Sequence, residues 1–244
     1  MKEVGIGPIS QSDALSKPST VITGNIRGIN PGIRYSKIEY LMDLANEKKS
    51  FMINLTKTHL SEEIKDEELR MDGWTIVRSD RDSRGGGGAI IYVRENLTIS
   101  EEYGGSDSMT KFLCCKINDL NLAVISIYRP PDCTTKSFSD CLLKIDSWIN
   151  KIIEKDINTK ILLTGDMNLG FLKEWNNSDI FNFKEWSIGK INNNKNLNIK
   201  KQQALILINY TDKWLISQRV SDFTRKDKIL DIIFTDYSTE IVDI

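Results

Sequence analysis

Short apolar runs that stop at a polar residue recur along this chain, alternating with longer stretches of helical spacing. Val21 to Ile26 reads as a strand that ends at Gly24-Asn25. Tyr35 to Lys48 follows, with Ile38, Leu41, Met42, Leu44 and Ala45 on one face and charges opposite, the spacing of an amphipathic helix. Phe51 to Leu55 is a second buried strand and runs into Thr56-Lys57-Thr58-His59-Leu60. Strand, helix and strand in this order predict a parallel crossover unit. Acidic Ser61 to Arg70 predicts a surface turn of helix. Trp74 to Val77 and Ala89 to Val93 predict strands, separated by Asp80 to Arg84 and the glycines Gly85 to Gly88.

The second half repeats the theme. Lys111 to Ile117 and Leu120 to Tyr128 flank Asn118-Asp119, a hairpin signal. The second run stops at Tyr128-Arg129-Pro130-Pro131, where two prolines forbid further pairing. Ser137 to Lys155 predicts an amphipathic helix through Phe138, Leu142, Leu143, Ile145, Trp148, Ile149 and Ile152-Ile153. Lys160 to Leu163 is the next strand, and Gly165 lets the chain bend as it leaves the sheet. An irregular stretch reaches Lys201, Gln202 to Leu215 predicts a helix, and Gln218 to Thr224 with Lys228 to Thr235 predict two closing strands. Residues 1–20 lack periodicity and are expected to form a flexible tail before one domain over 21–244.

Composition narrows the function classes. The 244 residues are 40% hydrophobic and 27% charged, ordinary values for a globular protein. A net charge of −1 provides no global field for nucleic acid, so any such site must be a local basic face. Four cysteines without a Cys-x-x-Cys spacing read as reduced thiols in an intracellular protein, expected in the cytoplasm or, if its substrate is DNA, in the nucleus. No apolar run is long enough to span a membrane, no secretory leader is visible, and the three glycosylation-type tripeptides therefore carry no weight. His59 is the single histidine. The glycine run lacks the Gly-Lys-Ser/Thr of a phosphate-binding loop.

Candidate chemistry sits at strand ends. Asp166 and Asn168 come one residue apart after the strand over Lys160 to Leu163, either as an Asx turn or as a carboxylate and amide facing a ligand. There the carboxylate orients or deprotonates a water and the amide donates to an anionic oxygen. Tyr128 either caps the core or donates its phenol to such an oxygen. Asn25 and Lys57 sit at two further strand ends. Asp231, inside Leu230-Asp231-Ile232-Ile233-Phe234, is a carboxylate among apolar residues and calls for a hydrogen-bond partner that the sequence does not reveal. Arg27, Arg81, Arg84 and Arg225 are candidates for a phosphate backbone, or solvated loop arginines.

Six blocks in this order resemble the apurinic-endonuclease-type nuclease domain of non-LTR (LINE-type) retrotransposons, in the endonuclease/exonuclease/phosphatase superfamily. They are Gly24-Asn25-Ile26-Arg27-Gly28; Leu55-Thr56-Lys57-Thr58-His59-Leu60; Arg81 through the glycines to Ile90-Ile91-Tyr92; Tyr128-Arg129-Pro130-Pro131; Gly165-Asp166-Met167-Asn168; and Thr224-Arg225 with Leu230-Asp231-Ile232. The resemblance implies an α/β fold, a two-sheet β-sandwich flanked by helices in four layers. It implies divalent-metal-dependent hydrolysis of DNA phosphodiesters, with Mg²⁺ or Mn²⁺ as cofactor, DNA as partner and a reverse transcriptase domain in the parent element. By position it implies catalytic roles for Tyr128, Asp166, Asn168 and Asp231, a metal-holding role for Asn25, and DNA contacts for Arg27, Arg81 and Arg225.

Two departures weaken the implied activity. The family block reads Thr-Glu-Thr with the Glu a metal ligand, where this chain has Thr56-Lys57-Thr58. A protonated lysine offers no lone pair, and its charge repels Mg²⁺. The family also carries a Ser-Asp-His block after the strand equivalent to Leu230 to Thr235, and the sequence as given stops at Ile244 without it. The implied domain is thus truncated, lacks its last strand, leaves an open sheet edge, and is impaired or inactive. The alternatives are a catalytically dead nucleic-acid-binding remnant and a phosphatase of the same superfamily.

Overall fold

The computed structural model describes residues 2–5, 20–29, 37–80, 87–107, 109–169, 195–220, 224–225 and 229–236. Eleven strands among them form two mixed sheets. The first sheet has the order β1-β2-β3-β5-β4 and is built from β1 (Lys2–Gly5), β2 (Thr20–Asn25), β3 (Ser50–Thr56), β4 (Trp74–Ser79) and β5 (Ala89–Arg94). The second has the order β10-β11-β9-β8-β7-β6 and is built from β6 (Ile99–Asp107), β7 (Thr110–Ile117), β8 (Leu122–Tyr128), β9 (Lys160–Asp166), β10 (Ser217–Gln218) and β11 (Asp231–Thr235). Helices α1 (Lys37–Glu47), α2 (Thr135–Lys155) and α3 (Lys195–Lys213) flank them. This is the two-sheet sandwich flanked by helices that the sequence predicts.

Period-two alternation explains the layers. On the first sheet Val21, Met52, Ile91 and Val93 point into the core between the sheets. Their neighbours Ile22, Ile53, Ile90 and Tyr92 point the other way and pack on Ile38, Leu41 and Ala45 of α1. Both faces of β3, β7 and β8 are buried throughout, which is why these segments read as continuous apolar runs. α2 buries Phe138, Cys141, Leu142, Ile145, Trp148, Ile149 and Ile152 against the second sheet, and α3 lies against α2. The Thr134 side chain caps α2 by accepting the Ser137 N–H at 3.1 Å.

Both predicted crossover units form. β2 and β3 pair in parallel around α1, and β8 and β9 pair in parallel around α2. All four strands therefore end on the same edge of the sandwich. Inside, the hydroxyls of Thr23 on β2 and Thr164 on β9 hydrogen-bond at 2.8 Å and hold the two sheets in register below that edge.

Several boundaries differ from the sequence reading. Lys2–Gly5, placed there in a flexible tail, pairs antiparallel with β2 and saturates that strand's outer backbone; residues 6–19 lie outside the described set. β6 was not predicted at all. It is an edge strand whose Ser100-Glu101-Glu102 and Gly104-Gly105 interrupt any apolar alternation, with a bulge between Ser100 and Tyr103. The closing strands shrink to Ser217–Gln218 and Asp231–Thr235, and α3 starts seven residues before the predicted Gln202. Among the described residues no helix is long and apolar enough to cross a membrane.

Candidate active site

The shared edge of the sandwich gathers most of the predicted residues. Asn25 closes β2, Lys57 follows β3, Tyr128 closes β8 and Asp166 closes β9. β11 runs antiparallel to β9, so its first residue, Asp231, arrives at the same edge. Tyr128, Asp166 and Asp231 occupy one row across three neighbouring strands: Asp166 pairs with Tyr128 on one side and Asp231 on the other.

Asp166 is the hub, with 1% of its surface exposed. Its Oδ2 accepts the Asn25 side-chain amide at 2.7 Å and lies 3.0 Å from the Lys57 ammonium. Its Oδ1 accepts the backbone N–H of Asn168 at 3.1 Å. At an effective dielectric of about 20, the Lys57 contact is worth about 5 kcal/mol before the cost of desolvating both charges. Lys57 also stands over the Tyr128 ring, 5.3 Å from its centroid. Only 16% of its side chain remains exposed.

The backbone is shaped to make this cluster. Gly165 has φ +138°, and a Cβ there would sit 2.0 Å from the carbonyl oxygen of Ile127. Only glycine permits the approach that turns Asp166 into the edge. Arg27, Lys57, His59 and Asn168 all adopt left-handed φ values between 48° and 57°. Each costs of order 1–3 kcal/mol, and such strain collects at functional sites. The loop after β2 is pinned against the loop after β3: Gly28 N–H donates to Lys57 O at 2.7 Å and Ile29 N–H to Thr58 O at 2.8 Å. Lys37 then donates to the carbonyls of Ile26 and Gly28, both at 2.7 Å.

Asn168 is engaged with the backbone. Its side-chain amide donates to Arg129 O at 2.9 Å, which ties the exits of β8 and β9 together. Asp231 Oδ1 is buried without a hydrogen-bond partner among the described residues. Burial first, and the neighbouring Asp166 second, push its carboxyl up to about 6, while the Thr224 hydroxyl and Lys57 act in the opposite sense. The partner missing from the sequence is thus missing from the described structure as well, apart from Thr224. Arg27 and Arg225 are exposed; Arg225 follows Thr224 at the rim. Arg81 and Arg84 lie outside the described residues.

One residue of the site escaped the sequence reading. Arg129 is fully buried. Its Nη1 donates to Met167 O at 3.0 Å, its Nη2 donates to Gln203 Oε1, and its guanidinium faces the Phe138 ring at 5.8 Å. Burial lowers its pKa, with Cys133 and Asp166 opposing. It grips the Asp166-Met167-Asn168 turn from beneath. The available signal was its place between Tyr128 and two prolines.

These donors do not fit the Mg²⁺ or Mn²⁺ that the resemblance implies. Hard divalent cations take several oxygen ligands, carboxylates foremost. Among the described residues no three His, Cys, Asp or Glu side chains are grouped to hold a metal. Both oxygens of Asp166 already accept hydrogen bonds, and an ammonium stands against it. The arrangement offers donors for an anion: a partly exposed lysine paired with a buried carboxylate, and an exposed arginine, both on strand-end loops.

Neither a family model nor a curated protein matches this sequence. Solved structures do match its fold. An endonuclease/exonuclease/phosphatase family protein from Bacteroides thetaiotaomicron is 12% identical, with 88% of this chain and 80% of that one covered and a TM-score of 0.56. The endonuclease domain of TRAS1, a telomere-specific non-LTR retrotransposon, is 12% identical over 89% of this chain and 84% of that one, with a TM-score of 0.51. The 3′ phosphatase NExo from Neisseria, bound to a product DNA hairpin, is 14% identical over 89% and 86%, with a TM-score of 0.52. The chain has the endonuclease/exonuclease/phosphatase fold, shared by nucleases and phosphatases. Its site lies at the carboxyl ends of the central strands.

Proposed function

We propose that this chain is a retrotransposon-type DNA endonuclease domain that holds a DNA phosphodiester at the strand-end cleft and is impaired in hydrolysing it. The observation that carries the reading is the Lys57–Asp166–Asn25 cluster beside Tyr128 and Asp231. It keeps polar residues from five of the six sequence blocks together, yet seats an ammonium where a carboxylate would serve hydrolysis.

The contacts of Lys57, Asn25, Asp166 and Asn168 support these roles, and those of the Tyr128 phenol and the arginines rest on the sequence blocks. Lys57 and the Tyr128 phenol bind phosphate oxygens, and Asn25 orients the Asp166 carboxylate. Asp166 is the residue that would orient or deprotonate an attacking water, but its Oδ2 is shared between an amide and an ammonium. Asn168 fixes the turn that presents it. Arg27 and Arg225 supply the local basic rim that the net charge of −1 requires of any DNA site, and Arg81, outside the described residues, is assigned to DNA contact by its sequence block alone. A reverse transcriptase in the parent element belongs to this same reading.

Fluorescence anisotropy with a labelled duplex at low salt tests it. The native chain binds the duplex, and Lys57→Glu, by reversing the central charge in metal-free buffer, weakens binding at least about tenfold. Absence of binding by the native chain, or indifference to Lys57→Glu, would remove the basis for a DNA cleft.

A further inference from the structure

We infer that the Lys57 ammonium is a built-in substitute for a divalent cation: the cleft binds phosphate-ester oxygens directly through Lys57, with no metal ion in the complex. The inference rests on the proposed cleft and says how it recognises its ligand.

Three observations converge. The ammonium lies 3.0 Å from Asp166 Oδ2 while 16% of the side chain stays exposed, so the residue is held by the carboxylate without being sealed from solvent. An ammonium has three donors, and the Asp166 contact needs one. Second, its position is built. Lys57 adopts a left-handed φ of 55°, its carbonyl is held by Gly28 N–H at 2.7 Å, and its ammonium lies over the Tyr128 ring. A solvated surface lysine needs none of this. Third, the negative charge beside it suits one monovalent cation. Asp166 is buried and ionically paired, and Asp231 faces both Asp166 and Lys57 across β9 and β11. Asp166 with Asp231 alone is too small a donor set for Mg²⁺ or Mn²⁺. A glutamate in place of Lys57 would make three carboxylates around the same point and invert the preference.

The test separates this inference from the function it rests on by measuring metal first, without DNA. Mn²⁺ is titrated into the native chain, Asp166→Ala, Lys57→Glu and Lys57→Met, with bound ion read by electron paramagnetic resonance. The native chain and Asp166→Ala are expected to give the same weak background, and Lys57→Glu to gain one equivalent of tightly held Mn²⁺. Duplex binding by the native chain is expected to be unchanged between EDTA and Mg²⁺, and Lys57→Met to bind about tenfold to a hundredfold more weakly. Mn²⁺ binding by the native chain that is lost in Asp166→Ala would overturn the inference while leaving the DNA cleft intact. So would a folded Lys57→Glu that gains no metal, or Lys57→Met binding the duplex as tightly as the native chain. If Lys57→Glu fails to give a cooperative melt, the Lys57→Met comparison decides alone.

Discussion

Asp231 is a carboxyl group whose surroundings oppose its charge. Its value, about 6, lies above the ordinary 3.8 because it is buried and faces Asp166. Between those values the folded state binds more protons than the unfolded chain at this site, so the contribution of this carboxyl to stability is fully present below about pH 4 and is lost as pH rises through 6. Lys57 and the Thr224 hydroxyl face the same carboxyl and limit the effect. Asp231→Asn removes the charge and should stabilise the protein by about 1–3 kcal/mol at pH 7, with the advantage vanishing near pH 4. Urea melts of both proteins across that range check it, and a pH-independent difference would contradict it. At Gly165 the expectation is opposite in sign. A Cβ would meet Ile127 O at 2.0 Å, so Gly165→Ala should cost about 3 kcal/mol or more, read in the same melts. Residues at this scale were legible where a polar side chain follows an apolar run: Asn25, Lys57, Tyr128 and Asp166 all declare themselves that way. Arg129 did not. Its acceptors, Met167 O and Gln203, come from β9's exit and from α3, and no local pattern announces such a meeting.

Elements were legible in proportion to their burial. β3, β7 and β8 are buried on every residue and stand out as apolar runs. β6 is an edge strand with a glycine pair and two glutamates, and its pairing is dictated by β7 rather than by its own sequence. β1 is likewise an edge strand that forms because β2 offers unpaired backbone. α3 contributes to the site from a distance. Its Gln203 is fully buried, accepts from Arg129 and donates to Cys133 O at 2.8 Å. Gln203→Leu would leave a buried guanidinium short of an acceptor and should cost about 2–3 kcal/mol. Thr134→Ala, which removes only the α2 cap, should cost about 1 kcal/mol. Equal costs in denaturant melts would show that Arg129 does not depend on α3.

At the scale of the whole molecule, the sandwich brings five strand ends, far apart in sequence, to one edge, where Lys57 stands against the Asp166 and Asp231 carboxyls on a protein of net charge −1. Binding that relies on Lys57, Arg27 and Arg225 neutralises few phosphates. Duplex affinity should therefore fall with salt at a log–log slope of about −3, and a slope near zero would count against a phosphate-backbone site. The fold was legible from the order of six short blocks. The identity of the charge at its centre was legible too, but what Lys57 does there depends on its 3.0 Å contact with Asp166, which only the assembled sheets create. If the proposed DNA site survives with hydrolysis impaired by Lys57, nicking of supercoiled plasmid in Mg²⁺ by the native chain, Asp166→Ala and Lys57→Glu will reveal it. The native chain is expected to nick no faster than Asp166→Ala, and Lys57→Glu to nick measurably faster than both. Rapid nicking by the native chain that disappears in Asp166→Ala would contradict it.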